Sequence, residues 1–192
     1  MESFNGLEVI AFEDAAQLES WLGDHHGLQS GVWLKLAKKS SGIASVTAAE
    51  VIDVALCYGW IDGQRRSLDE SYFLQKITPR RPRSTWSQVN IRKVAALTEA
   101  GRMREPGLAA VGAAEADGRW AAAYASQKEA TVPPDLAAAL DGNERAKTAF
   151  GKLNKTNRYG VIHRLLTART PDVRAARLDR MIAALETGQQ IQ

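Results

Sequence analysis

The residues best suited to chemistry crowd into one stretch, Tyr58 to Asn90, which reads YGWIDGQRRSLDESYFLQKITPRRPRSTWSQVN. Arg80, Arg81 and Arg83 are interleaved there with Pro79 and Pro82. Proline fixes its own φ and holds the residue before it extended, so these guanidinium groups sit on stiff backbone. They also come just before a predicted helix start. Guanidinium forks onto phosphate or carboxylate, and the unpaired N–H groups of a first helical turn add to that attraction. Trp86 offers a stacking wall, and Ser84 and Asn90 offer orienting hydrogen bonds. With Asp62 and Gln64, the candidate ligand-binding set is Asp62, Gln64, Arg80, Arg81, Ser84, Trp86 and Asn90. The competing reading is structural: Arg80 and Arg81 pair with Asp62 and Asp69 across a hairpin and only fix the fold.

Other chemistries find less support. Asp62 and Asp69 could serve as paired acid/base carboxylates, but Asp62-Gly63 is also an ordinary turn dipeptide. His25 and His26 are neighbours near a helix end, where successive side chains diverge by about 100°. A capping or surface role suits them better than a shared metal. His163 is read as packing or solvent-facing. Without a histidine-centred triad, no catalytic residue is assigned. Cys57 is the only cysteine. It allows no internal disulfide and no cysteine metal cluster, and it reads as a small buried hydrophobe. Neither GxxxxGK[ST] nor GxGxxG occurs, so no nucleotide cofactor of those kinds is indicated, and neither cofactor nor metal is expected.

The net charge of +3 is too small to predict nucleic-acid binding by itself. Its distribution says more. Ser71 to Thr98 contains no Asp or Glu but holds Lys76, Arg80, Arg81, Arg83, Arg92 and Lys93. Leu28 to Ala49 is also free of acids and carries Lys35, Lys38 and Lys39. If the two segments pack together, they make one positive face.

The elements that must position these groups follow from periodicity and caps. Hydrophobic residues make up 45% of the 192, enough for a proper core. Leu7–Phe12 reads as a strand, and Asp14 caps a helix carrying Leu18, Trp21 and Leu22. Val32, Leu34 and Leu36 alternate with Trp33 and Lys35 in a second strand. Thr47 and Glu50 have capping-box spacing ahead of a helix that stops at Gly59. Trp60–Gln64 and Tyr72–Thr78 read as hairpin arms. Ser84 or Thr85 is expected to open a helix ending at Gly101, and another follows from Met103 to Ala116. Pro133-Pro134 marks the expected boundary between residues 1–132 and 133–192. Four helices follow it. The last starts at Thr170-Pro171, ends at Gly188, and aligns Leu178, Ile182 and Leu185 on one face. The fold class is therefore α+β: a small N-terminal β-sheet with helices, then a mostly α-helical C-terminal half.

At Tyr58–Gln64, Ile77–Arg81, Ser84–Ser87 and Asn90, the chain resembles the YdeI/OmpD-associated, or bacteriocin-protection, family. Leu97, Gly101, Met103, Gly107 and Asp117–Trp120 continue the likeness, as do Ala149, Phe150, Leu153, Ile162, Thr167, Arg169, Arg177, Leu185 and Gly188. The resemblance implies a role in bacterial stress and antimicrobial-peptide tolerance, and it brings no catalytic residues with it.

The expectation is thus a cytoplasmic, non-enzymatic tolerance protein. It would bind an anionic small molecule or protein partner through the basic, Trp-containing stretch. A nucleic-acid-binding protein using the basic face is one alternative; an enzyme with Asp62 as acid or base is another. No run of apolar residues is long enough to span a membrane, and the opening MESFNGLEVIAFED lacks the pattern of a secretory signal.

Overall fold

The computed structural model of the chain describes residues Glu2 to Gln189. It forms two compact units, residues 1–86 with 90–122 and residues 87–89 with 123–192.

In the first unit, the elements run β1 (Ser3–Phe4), β2 (Leu7–Ile10), α1 (Ala15–His25), β3 (Val32–Ala37), α2 (Ala48–Cys57), β4 (Trp60–Ser67) and β5 (Tyr72–Pro79). The strands make one sheet in the order β1-β2-β3-β5-β4. β2 and β3 are parallel, and the other neighbours are antiparallel. A parallel pair needs a crossover, which α1 supplies. The caps read from the sequence are in place. Asp14 accepts from the Gln17 N–H at 2.9 Å, and the Thr47–Glu50 capping box closes in both directions. α1 and α2 cover one face of the sheet, packing Leu18, Leu22, Val51 and Val54 against Leu34, Leu36 and Ile77. Trp60 is fully buried, and its indole N–H donates to the His26 carbonyl at 3.0 Å.

β3 pairs with β5 over its full length, so the two acid-free segments do lie side by side. Alternation turns Trp33 away from the helices, yet it is only 2% exposed. The Phe4 ring meets it edge-on at 5.3 Å, and the Lys76 ammonium lies 6.0 Å from its centroid. A long lysine stem covers apolar surface while its head stays wet.

Two more helices complete this unit, α3 (Gln88–Glu99), whose first two residues fall outside it, and α4 (Glu105–Ala116). The sequence suggested that α3 opens at Ser84 or Thr85. It opens later because Ser84 is committed to the turn described below. α4 lies close on the end of α2. The Arg104 N–H donates to the Cys57 carbonyl at 3.1 Å, and Gly59, at φ 73°, leaves room for the Pro106 carbonyl.

The second unit holds α5 (Pro134–Asp141), α6 (Glu144–Lys152), α7 (Lys155–Leu166) and α8 (Pro171–Thr187). Asn143, Asn154 and Thr170 cap the last three. Leu136, Phe150, Val161, Leu165, Met181 and Leu185 form the core, with Leu178 and Ile182 packed against it. Arg174 forks onto both Asp135 oxygens, at 2.7 and 2.8 Å, and so ties α8 to α5. This is the α+β architecture read from the sequence. Among the described residues, no helix is long and apolar enough to cross a membrane.

Candidate functional site

The turn after β5 is built from reciprocal hydrogen bonds. The Ser84 N–H donates to the Arg81 carbonyl at 2.9 Å, and the Arg81 N–H donates to Ser84 Oγ at 2.9 Å. The Arg80 N–H donates to the Gly59 carbonyl at 2.9 Å, anchoring the turn to the end of α2. The Arg80 guanidinium carbon lies 3.4 Å from the Trp86 ring centroid, and its Nη1 donates to the Thr85 carbonyl at 3.2 Å. Trp86 is only 1% exposed, and Trp120 packs against it at 4.9 Å. Arg119 Nη1 donates to the Ser84 carbonyl at 3.0 Å while its Nε is held by both Asp117 oxygens. The Asp117–Trp120 motif thus braces the PRRPRSTW motif from below.

These contacts redistribute the roles read from the sequence. Trp86 is covered by Arg80, so it orients that guanidinium and is no wall for a ligand. Arg80 serves the architecture of the turn. Arg81 and Arg83 point outward and are exposed, and among the described residues no carboxylate pairs with either. Hairpin ion pairing fails for Asp69, whose Oδ1 accepts the Ser71 and Tyr72 N–H groups at 2.8 and 2.7 Å. Nor can Asp62 and Asp69 act together. Asp62 to the end of β4 alone spans roughly 15 Å of extended chain, far beyond the reach of a shared proton.

Asp62 sits beside a feature the sequence did not reveal. The ladder pairs Asp62 with Ile77 but Arg65 with Gln75, so β4 carries one extra residue there. Such a bulge bends the strand and re-aims its side chains. Here it brings Asp62 and Arg65 onto the same face, although residues three apart on a regular strand face opposite ways. Gln75 holds the bulge. It is 3% exposed, and its amide donates to the Gly63, Gln64 and Lys76 carbonyls at 3.2 to 3.4 Å while its Oε1 accepts from Arg65 Nε at 2.9 Å. Burial pushes the Asp62 carboxyl above its usual range, opposed by the positive charges of Arg65 and Arg80. Gln64 lies in the bulge and is exposed, and Asn90 is half-exposed in the first turn of α3.

The remaining candidates are structural. His25 and His26 place Nδ1 at 2.8 and 3.0 Å from the Trp21 and Gly23 carbonyls at the end of α1. His163 packs against Tyr124 and Tyr159, and burial together with Arg177 lowers its pKa. Cys57 is buried, which pushes its thiol up and away from a reactive thiolate. Among the described residues, no three of His, Cys, Asp or Glu gather where they could hold a metal ion.

A mixed sheet backed by two helices, bearing a braced basic turn, defines the first unit. Residues 10–110, which run from the last residue of β2 into α4, match a family model described as a domain of unknown function, DUF8412. The chain belongs to that family. Residues 129–188, the helical portion from before α5 to the end of α8, match the model described as bacteriocin-protection, YdeI or OmpD-associated. The likeness read from the C-terminal residues is matched there, whereas the WIDGQ and TPRRPRSTWS elements fall within the other model's span. No curated protein and no solved structure matches the chain.

Proposed function

We propose that this is a cytoplasmic stress or antimicrobial-peptide tolerance protein that binds an anion, or an acidic segment of a partner, at the Pro79–Ser84 turn. The tolerance role follows the bacteriocin-protection match over residues 129–188. One observation carries the binding: two exposed arginines, Arg81 and Arg83, which no carboxylate pairs among the described residues, stand on a turn braced by Ser84, Arg119 and the Arg80–Trp86 stack. Rigid backbone holds the two cations close at little entropic cost, and that favours bidentate capture of phosphate or carboxylate.

The test is calorimetric titration of the whole chain with inorganic tripolyphosphate at low salt. R81A/R83A is expected to weaken binding at least tenfold while its melting temperature stays within about 2 °C of wild type, since exposed substitutions shift stability little. K152A/K155A removes the same charge elsewhere and serves as control. Equal loss in both variants, or no loss in R81A/R83A, refutes the site.

One alternative has its own support. β3 and β5 set Lys35 and Lys76 on one face, with Arg66 of β4 beside them. A single-stranded oligonucleotide in the same titration decides between them. A steep salt slope that survives R81A/R83A would move the function to that strand face.

A further inference from the structure

The second unit contains a cleft that the proposed anion site does not use. It has a volume of about 660 Å³ and lies among α6, α7 and α8. That is the size of a small-molecule pocket, which is typically apolar with a few convergent polar groups. Its floor is Val161 and Leu185, 1% and 4% exposed, with Ala149 and Leu153 beside them. From α7 it receives Thr156, Asn157, Gly160, Val161 and Arg164. The last four are the i, i+3, i+4, i+7 stripe, one face of the helix. Among the described residues, no Asp or Glu lines the cleft.

Two details give the cleft the character of a site. Arg164 is half-buried at its edge, and among the described residues no carboxylate pairs with its guanidinium. Its carbonyl is taken by Arg177, which fixes the backbone that carries it. Gly160 is the second detail. A Cβ built on it meets nothing within 4 Å, so close packing does not require glycine here. Glycine inside a helix costs about 1 kcal/mol relative to alanine. Its visible effect is to keep the wall of the cleft open.

We infer that this cleft binds a medium-chain fatty acid, with the carboxylate on Arg164 and the chain lying over Gly160 and Val161 toward Asn157. Arg164 to Asn157 spans seven residues of helix, about 10 Å. That length matches an extended acyl chain of medium length, and the apolar floor runs beneath it. The Arg164 cation fixes which end of the ligand sits where. A neutral or cationic chain of the same length lacks that anchor.

The experiment titrates the whole chain with decanoate, kept below its micellar concentration, and follows the amides of α7 and α8 by NMR. Decanol and decylamine are the comparison ligands. Wild type is expected to bind decanoate at least tenfold more tightly than either. R164Q is expected to remove that preference while leaving the melting temperature unchanged. G160L fills the cleft and is expected to abolish binding of all three while leaving the helix intact. R81A/R83A is expected to bind decanoate like wild type, which keeps this site distinct from the anion-binding turn. Decanoate binding that G160L does not disturb overturns the inference. So does a wild type with no preference for decanoate over decanol, or an R164Q variant that retains it.

Discussion

Replacing Gln75 with leucine tests whether the bulge in β4 is held by that one side chain. Leucine is close in volume, so the substitution removes hydrogen bonds without opening a cavity. Three backbone carbonyls and Arg65 Nε lose a partner. A buried polar group left unsatisfied costs about 1–3 kcal/mol. Gly63, Gln64 and Arg65 are exposed, so water can reach their groups. The half-buried Lys76 carbonyl has less recourse. Leucine also gains from burial, which offsets part of the loss. The net expectation is about 2 kcal/mol of destabilisation. With a urea dependence of about 2 kcal/mol per molar, the unfolding midpoint should fall by about 1 M. Fluorescence follows it, because Trp33, Trp60 and Trp86 are all buried. Amide exchange at Gly63 to Arg65 should quicken by more than the global change. Gln75→Glu places a carboxylate against the same carbonyls and should lose more at neutral pH, recovering as acid protonates it. An unchanged midpoint in Q75L, with unaltered exchange at the bulge, would refute the assignment.

Asp62→Asn should raise stability at pH 7. Burial holds the Asp62 carboxyl above its usual range, so a penalty on folding grows as pH rises past the unfolded value of about 4 and is complete once pH exceeds the raised one. The advantage of the variant should vanish below about pH 4, where the wild-type carboxyl is protonated in both states; urea melts across that range check it, and equal stability at all pH values would contradict it. Gly107→Ala sets a Cβ against the Cys57 and Leu56 carbonyls, backbone atoms that cannot rotate away. Overpacking of about 3 kcal/mol, less about 1 from helix propensity, leaves a loss of about 2 kcal/mol by thermal melt. A variant as stable as wild type would mean that α4 does not press on the end of α2.

Local chemistry was legible in the chain because it depends on neighbours a few residues apart. The caps at Asp14 and Thr47 and the helix start at Thr170 each need only the next turn of helix, and all three are in place. The alternation in β3 and the 3.6-residue stripe in α8 depend on equally short spacings, and from them the α+β class follows. The basic stretch at Arg80–Arg83 could be found by composition alone.

What each of those arginines does was decided by tertiary contact. Trp86 looked free to meet a ligand until Arg80 closed over it, and Arg119 reached Ser84 from 35 residues away. The bulge between Asp62 and Arg65 depends on a glutamine in the partner strand, and no pattern within β4 announces it. The cleft at Gly160 exists only because three helices converge. Periodicity tells which side of an element is apolar, but it does not carry the distance to another element. Burial, pairing and open space arise from that distance.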